Sequence, residues 1–318
     1  MWNQRGGRVQ TRKIGSLDVS VIGLGTNNFG TRLDEDGTAK VLDAIIDSGI
    51  NFIDTADMYG ATKSETYIGN LLGPRRSKVI LATKFGMPVN DVPAGGSPSY
   101  LRTAVEESLR RLQTDYIDLY IYHRPDPNVP IAETLTAMGD LVSAGKVREL
   151  GCSNFSVAQL QEADAAAKEG GPRFVNLQNN YSLFVRDPEN GVLAECERQG
   201  IGFVPYSPLV GGLLSGKYRR AAPLPEGTRI AKMADERRES TLSEKNLDTI
   251  ESLVAFAEER GRSILELAMS WLLAKPVVSS VIAGASNLQQ VQENVSSALW
   301  QMTPSELDEI DLILANRQ

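Results

Sequence analysis

The feature of this 318-residue chain that most constrains its fold is the alternation of short apolar segments with helix-length amphipathic stretches. Near-continuous apolar runs rich in β-branched residues are typical of parallel strands that are covered on both faces. Eight such runs occur: VIGL (21–24), NFID (51–54), KVILAT (78–83), IDLYIY (117–122), VRELGC (147–152), FVNLQ (174–178), GFVPY (202–206) and SSVIAG (279–284). We therefore predict an α/β protein, a single (β/α)8 TIM barrel domain over residues 1–318.

Additional segments frame the predicted barrel. Residues 1–8 are predicted to be a loose leader, and residues 9–22 a β-hairpin that turns at Gly15-Ser16 and closes the bottom of the barrel. The segment between the seventh and eighth strands is unusually long, which in a compact barrel is usually a sign of function. Near the end, TPSELDEIDLILANR predicts an extra C-terminal helix capped by Thr303.

Charge and composition exclude several classes of function. The net charge is −7 and the pI is about 5.0, and the basic residues are dispersed, whereas a nucleic-acid partner requires a concentrated basic face. No apolar run is long enough for a membrane span, and the N-terminus lacks a signal-peptide core, so we predict a cytoplasmic protein without a membrane partner. One histidine and two cysteines exclude a His-rich metal site, and we predict no metal. The oligomeric state is left open.

Four ionisable side chains follow neighbouring strands. Asp54 ends the second strand, Lys84 the third and His123 the fourth, while Tyr59 lies in the loop after the second. Side chains at the C-terminal ends of barrel strands converge on one face, where active sites are built. Each residue alone is better explained as a solvated ion pair or a satisfied histidine, but their shared position at consecutive strand ends favours a catalytic set.

Proton donation is the chemistry that such a set suits. We expect the ammonium group of Lys84 to lower the pKa of Tyr59, and Asp54 to keep Lys84 charged at a partly buried site. His123 is expected to hydrogen-bond the reacting oxygen or to relay the proton.

Later strand ends carry further polar and aromatic side chains that suit a ligand. Ser153, Asn154 and Gln178 are able to bind a carboxamide, and Tyr206 is able to stack on a pyridine ring. The alternative is that Ser153-Asn154 only begin a helix and that Gln178 satisfies a turn. The segment GASNLQQVQEN (284–294) opens the last helix of the barrel with small residues, and its free amides suit a phosphate.

Two nucleotide-binding motifs are excluded. Residues 211–217 fit the spacing GxxxxGK, but Tyr218 follows where a P-loop needs Ser or Thr. The Gly23-Leu-Gly25 segment lacks the third glycine of a dinucleotide-binding βαβ unit.

Three motifs, NFIDTADMYG (51–60), ILATKFG (80–86) and YIYHRPDP (120–127), resemble sequence blocks of the aldo-keto reductases, and the similarity runs from GLGTNNFG to IAGASNLQQVQEN. The resemblance implies a barrel that reduces aldehydes and ketones with NADPH, with Tyr59 as the acid/base and Asp54, Lys84 and His123 as its partners. The pattern is most similar to the bacterial reductases related to potassium-channel β-subunits. In those reductases, four residues at the last barrel helix face the cofactor. The equivalent residues of this chain are Ser286, Gln290, Glu293 and Asn294.

Cofactor contacts are also predicted at Ser207, Leu209 and Gly284. Other aldo-keto reductases place basic residues at positions 284 and 290, and here these are absent. Lys217 and Arg229 of the long loop are predicted to replace them at the 2′-phosphate, although a solvated basic surface is the other interpretation. We therefore predict NADP(H) as cofactor.

The substrate is predicted to be a small carbonyl compound. Its pocket walls are expected from Asn27-Asn28-Phe29, Met58, Met87-Pro88 and Leu183-Phe184. The alternative function is a redox-sensing or regulatory subunit that binds the cofactor but turns over slowly. A metal-dependent barrel hydrolase is the third, least supported hypothesis.

Overall fold

The structure is a computed structural model that describes residues 9–89, 95–167, 171–220 and 222–315. The predicted leader 1–8 lies outside these residues. The strands are β1 (Thr11–Ile14), β2 (Leu17–Ser20), β3 (Ile22–Gly25), β4 (Phe52–Asp54), β5 (Ile80–Phe85), β6 (Ile117–Tyr122), β7 (Val147–Ser153), β8 (Asn176–Gln178), β9 (Gly202–Phe203) and β10 (Val281–Gly284). The α-helices are α1 (Glu35–Asp47), α2 (Lys63–Leu72), α3 (Pro98–Leu112), α4 (Ile131–Ser143), α5 (Val157–Ala167), α6 (Val192–Gln199), α7 (Asp235–Thr241), α8 (Glu244–Glu258), α9 (Ile264–Leu273), α10 (Leu288–Ser296) and α11 (Pro304–Ala315).

Eight parallel strands form a sheet in the order β10-β3-β4-β5-β6-β7-β8-β9. Its two ends meet: the Phe203 amide donates to the Val277 carbonyl, and the Ser279 amide donates to the Phe203 carbonyl, both at 2.8 Å. Closure leaves no free edge, as in a barrel. The predicted (β/α)8 barrel is confirmed.

The seventh barrel strand is shorter than predicted. Regular pairing covers Gly202–Phe203 instead of residues 202–206, because Pro205 has no amide hydrogen to donate to the ladder. The Val204 amide still donates to the Leu177 carbonyl at 2.8 Å, and the Tyr206 amide donates to the Asn179 carbonyl at 3.1 Å, so the chain keeps its course along the barrel on both sides of the proline.

The predicted hairpin covers one end of the barrel. β1 and β2 pair antiparallel around Gly15, whose φ of 53° suits a residue without a β-carbon. Three hairpin side chains are buried against the inward-facing side chains of the strands, and we call the combined cluster the barrel floor: Ile14, Leu17, Val19, Phe52, Ala82, Leu119, Ile121, Val204 and Ile282. The Ser16 amide also donates to Glu149 Oε1 at 2.7 Å, which attaches the turn to β7.

Side chains cap several helices, and the cap predicted from the sequence at Thr303 of α11 is among them. The Ser97 side chain accepts from the Tyr100 amide at the start of α3, and Thr303 and Glu306 exchange hydrogen bonds at the start of α11. Helix α7 was not predicted, because its sequence DERREST has no apolar periodicity and it buries none of its residues. Within the described ranges, no helix has both the length and the apolar character needed to cross a membrane.

Candidate active site

The site lies directly above the barrel floor because side chains alternate along each strand. The residue two positions after an inward-facing floor residue also faces inward. Such pairs of floor and site residues are Phe52 and Asp54, Ala82 and Lys84, Ile121 and His123, Val204 and Tyr206, and Ile282 and Gly284. The site residues therefore form the next layer of the barrel interior, at the C-terminal ends of the strands.

A cavity of about 580 Å³ opens over this layer. All of the residues predicted as catalytic or cofactor-binding line it: Asp54, Tyr59, Lys84, His123, Ser153, Asn154, Gln178, Tyr206, Ser207, Leu209, Lys217, Arg229, Gly284, Ser286, Gln290, Glu293 and Asn294. The structure thus brings the predicted set together, while the role of each residue stays a prediction.

The centre of the site is a buried ion pair. Lys84 Nζ lies 2.6 Å from Asp54 Oδ2, and each side chain is 2% exposed. Lys84 Nζ also donates to the Thr55 carbonyl at 2.8 Å and lies 3.5 Å from Tyr59 Oη. The second carboxylate oxygen, Asp54 Oδ1, accepts from Gln178 Nε2 at 2.7 Å. Both charges are therefore hydrogen-bonded as well as paired, which a buried ion pair requires to be tolerated.

Lys84 lowers the pKa of Tyr59 as predicted, but the net pKa of Tyr59 is raised. Burial is the largest cause and disfavours the phenolate, while the nearby charge of Lys84 lowers the pKa and only partly offsets the burial. For Lys84, burial lowers the pKa, but Asp54 and Tyr59 raise it by more, so its net pKa is raised. At neutral pH the site holds a protonated phenol beside a charged ammonium group.

His123 is a neutral imidazole in this environment. Burial, followed by the charges of Lys84 and Arg124, lowers its pKa to about 3. Its ring lies edge-on to that of Tyr59, with ring centroids 6.0 Å apart. Among the described residues, the buried Nδ1 atom has no hydrogen-bond partner. A neutral imidazole carries one donor and one acceptor nitrogen, so the ring can present an N–H group beside the phenol of Tyr59.

Polar groups after β7 and β8 form one network on the neighbouring wall. Asn154 Nδ2 donates to the His123 carbonyl at 3.0 Å, and Tyr206 Oη donates to Asn154 Oδ1 at 2.8 Å. Ser153 Oγ donates to the Gln178 carbonyl at 2.8 Å. Asn154 has a φ of 62°, a left-handed conformation that asparagine tolerates better than most residues.

The alternative roles considered for these residues are not the ones the structure shows. Helix α5 is capped by Ser156, whose hydroxyl accepts from the Gln159 amide at 3.3 Å, so Asn154 does not begin the helix. The Gln178 side chain reaches Asp54 instead of satisfying a local turn.

The far end of the cavity is formed by the start of α10 and by the loop after β9. Gln290 Oε1 accepts from the Ser286 amide at 2.8 Å and from its hydroxyl at 3.0 Å. Arg229 Nη2 lies 3.4 Å from Asn27 Oδ1, which links the loop to the segment after β3. Lys217 is exposed on the same loop.

Two arginines of the cavity lining, Arg32 and Arg124, were missed by sequence reasoning. Both are exposed side chains in loops, and no periodicity or motif distinguishes such residues from solvated surface arginines. For Arg124 the only available signal was its position next to His123.

The expected pocket walls were partly wrong. Asn27, Asn28 and Met87 line the cavity, but Phe29, Leu183 and Phe184 are buried in the core between the sheet and the helices. Large apolar side chains gain roughly 2 kcal/mol from full burial, so loop residues of this kind are drawn into the core when it lies within reach. Within the described lining, Met58 and Pro88 do not contribute either.

Comparison with known proteins places the chain among oxidoreductases. The family model described as Aldo/keto reductase family matches residues 21–315. An uncharacterized oxidoreductase of Bacillus subtilis (strain 168), YrpG, is 38% identical over 297 residues, covering 88% of each protein. L-glyceraldehyde 3-phosphate reductase of Escherichia coli (strain K12) is 33% identical over 330 residues, covering 98% of this chain and 94% of the relative. The solved structure of a glycerol dehydrogenase from Gluconobacter oxydans is similar at a TM-score of 0.84 and 30% identity, covering 97% of this chain and 96% of that one.

Proposed function

Since this chain belongs to the aldo/keto reductase family, we propose that it reduces aldehydes or ketones to alcohols with NADPH, and that Tyr59 donates the proton. The observation that carries the proposal is the placement of Lys84 Nζ between Asp54 Oδ2 at 2.6 Å and Tyr59 Oη at 3.5 Å. A charged group held this close to a phenol stabilises the phenolate that proton donation leaves behind.

Tyr59 acts as a general acid at the cavity wall. Its raised pKa keeps the phenol protonated at neutral pH, so the proton is present when a carbonyl oxygen arrives. As the proton leaves, the negative charge develops on Tyr59 Oη beside the Lys84 ammonium group. Asp54 holds that ammonium group in place, because it accepts from Lys84 on one oxygen and from Gln178 on the other.

His123 positions the carbonyl group. Its neutral ring, edge-on to Tyr59, offers an N–H group to the same oxygen that receives the proton from Tyr59. Two donors that converge on one oxygen fix its position and stabilise the charge it acquires. A protonated His123 is not required, which agrees with its lowered pKa.

The cavity wall suits a nicotinamide dinucleotide. Asn28 supports this fit, because it is 8% exposed, lines the cavity, and its buried Oδ1 has no hydrogen-bond partner within the described chain. We propose that Ser153, Asn154 and Gln178 hold the carboxamide and that the ring of Tyr206 covers the pyridine. When bound, NADPH supplies the hydride that adds to the carbonyl carbon.

The rest of the cofactor would extend along the cavity toward α10. We propose that Lys217 and Arg229 bind the 2′-phosphate and so favour NADPH over NADH. The other proposed contacts in this direction are Ser207, Leu209, Gly284, Ser286, Gln290, Glu293 and Asn294.

Mixing the purified protein with NADPH or NADH and a panel of aldehydes and ketones, and following cofactor absorbance, tests the proposal. Tyr59→Phe should retain cofactor binding and lose roughly 10²- to 10⁴-fold in kcat. Tyr67→Phe, which changes a partly buried tyrosine on α2, is the matched control. Full activity of Tyr59→Phe would reject the proposed acid. Failure of the unaltered protein to reduce any carbonyl would favour the slow regulatory alternative.

The cofactor preference has its own test. The double variant Lys217→Ala with Arg229→Ala should raise KM for NADPH and leave KM for NADH nearly unchanged, because only NADPH carries the 2′-phosphate. An equal change for both cofactors, or no change for either, would reject this assignment.

A further inference from the structure

Unpaired arginines are concentrated at the cavity. Fourteen of the nineteen arginines in the described chain form ion pairs with carboxylates. The remaining five are Arg12, Arg32, Arg124, Arg229 and Arg237. Arg12 donates to three backbone carbonyls, and three of the other four line the cavity. Most arginines of the described ranges are paired with carboxylates, so three unpaired arginines in one cavity lining suggest a site for anionic ligands.

The three cavity arginines divide into two groups. Arg229 and Arg32 both line the cavity. They lie near each other, because the charge of Arg32 lowers the pKa of Arg229, although burial lowers it more. Arg124 also lines the cavity and follows His123 in the chain, and its charge acts on both His123 and Tyr206. One bound cofactor accounts for the first group through its phosphates. The second group is Arg124 alone, which leaves it able to bind a different anion.

Neither Asp126 nor Asp54 forms an ion pair with Arg124, and both carboxylates have other partners. Asp126, two residues further along the chain, accepts from the Gly96 amide at 3.2 Å and from the Asn128 amide at 2.9 Å. Asp54 is held by Lys84 and Gln178. Over the described ranges, the Arg124 guanidinium makes neither an ion pair nor a hydrogen bond. An exposed arginine without a partner is usually solvated, but this one lines the cavity and follows directly after His123.

The backbone that carries Arg124 is anchored on both sides. The His123 amide donates to the Phe85 carbonyl at 2.9 Å, and the His123 carbonyl accepts from Asn154 Nδ2 at 3.0 Å. After Pro125, the Asp126 amide donates to Tyr122 Oη at 2.6 Å. Because the backbone at Arg124 is already held in place, less conformational entropy of the loop is lost when the guanidinium binds a ligand.

We propose that Arg124 binds a carboxylate or phosphate group on the substrate and so makes the site selective for anionic carbonyl compounds. The planar guanidinium donates two parallel hydrogen bonds to either anion. This proposal rests on the proposed reductase function and adds to it the substrate class and the residue that selects it.

The test compares two matched pairs of substrates in the unaltered protein and in Arg124→Gln. Butanal and succinic semialdehyde differ by a carboxylate, and glyceraldehyde and glyceraldehyde 3-phosphate differ by a phosphate. In Arg124→Gln, kcat/KM for the anionic member should fall roughly 10- to 100-fold, while the neutral member changes by less than about 3-fold. Arg124→Lys should recover part of the loss, because it keeps the charge but not the two-fold hydrogen bonding.

Arg102→Gln is the matched control, since it removes one exposed arginine of α3 that pairs with Asp140 away from the cavity. Added salt should reduce the preference of the unaltered protein for the anionic substrate. A loss confined to one pair of substrates identifies that anion as the ligand.

Three results would overturn the proposal. In the first, Arg124→Gln weakens both members of each pair equally and raises KM for NADPH, which would assign Arg124 to the cofactor. In the second, neutral and anionic substrates react equally well in the unaltered protein. That result would reject selectivity for anions while leaving the proposed reductase function intact. In the third, no carbonyl is reduced at all, and the proposed function itself fails.

Discussion

Two polar clusters lie on opposite faces of the sheet at β5, and they differ in how fully their buried carboxyl groups are hydrogen-bonded. The inner cluster, Asp54, Lys84 and Gln178, faces the barrel interior, and both oxygens of its carboxylate are bonded. The outer cluster, Asp57, Thr83, Glu65, Arg111 and Tyr120, lies between the sheet and helices α2 and α3. There Glu65 is paired with Arg111 at 2.7 Å and accepts from Thr83 at 2.5 Å.

The carboxyl group of Asp57 is the exception in the outer cluster. It is 2% exposed, and its Oδ1 has no hydrogen-bond partner among the described residues, nor does the hydroxyl of Tyr120. Burial, followed by the charge of Glu65, raises the pKa of Asp57 to about 8. The inner cluster therefore supplies a partner for each oxygen of its carboxylate, whereas the outer cluster accommodates Asp57 by leaving it protonated at neutral pH.

The largest expected effect comes from removing the inner cation. Lys84→Met leaves Asp54 buried without a counter-ion, which should lower the free energy of unfolding by about 3–5 kcal/mol and also abolish turnover. Urea unfolding and kcat measurements check this. Lys13→Met is the control, because Lys13 and Asp18 are both 63% exposed and such pairs contribute less than about 1 kcal/mol. Equal losses in the two variants would contradict the inner cluster as described.

Removing the outer cation should separate stability from activity. Arg111→Met leaves Glu65 unpaired at 0% exposure and should cost about 3 kcal/mol of unfolding free energy. Because the outer cluster does not face the cavity, kcat/KM of the folded protein should change by less than about 3-fold, in contrast to Lys84→Met. Arg102→Met, at an exposed pair, is the control. A loss of turnover as large as that of Lys84→Met would show that the two clusters act as one.

The protonated Asp57 should make stability fall as the pH rises. Its folded pKa of about 8 lies above its unfolded value of about 3.9, so the folded protein binds more protons than the unfolded chain between these values. Stability is therefore lost from about pH 4 to about pH 8, at up to about 1.4 kcal/mol per pH unit. Asp57→Asn should remove this slope and be more stable than the unaltered protein at pH 8, whereas Asp18→Asn should not. Parallel stability curves for the Asp57 variant and the unaltered protein would reject a protonated Asp57.

The smallest expected effect is in the pH dependence of catalysis. His123, with its pKa lowered to about 3, and Tyr59, with its pKa raised, both titrate outside the neutral range. We expect kcat/KM for reduction to be nearly constant from about pH 5 to about pH 9. An inflection near pH 6.5 would show that His123 titrates normally. An inflection near pH 8 would show that ionisation of Asp57 reaches the inner cluster.

The pairing of Asp54 with Lys84 in the inner cluster was predictable from the sequence, and the outer cluster was not. Asp54 and Lys84 each lie two residues after an inward-facing floor residue of neighbouring strands, so local patterning is enough to bring them together. Arg111 meets Glu65 only because α3 packs beside α2, and no local pattern records that contact. The raised pKa of Tyr59 was missed for a related reason: neighbouring charges are visible in a sequence, while the degree of burial is not.

The alternation of Thr83 and Lys84 along β5 has a consequence for insertions and deletions. Suppose that one residue is gained or lost near the start of β5 while the neighbouring strands keep β5 in place. Every later side chain of β5 would then change face, so that Lys84 would point toward the helices and Thr83 into the barrel. The floor would lose Ala82 from its layer at the same time. One such event would disable the proposed chemistry and the packing beneath it together, whereas a change of two residues would preserve the facing of every side chain. Length variation in relatives that keep this chemistry should therefore fall in the loops that follow the strands, where the cavity gains or loses its walls.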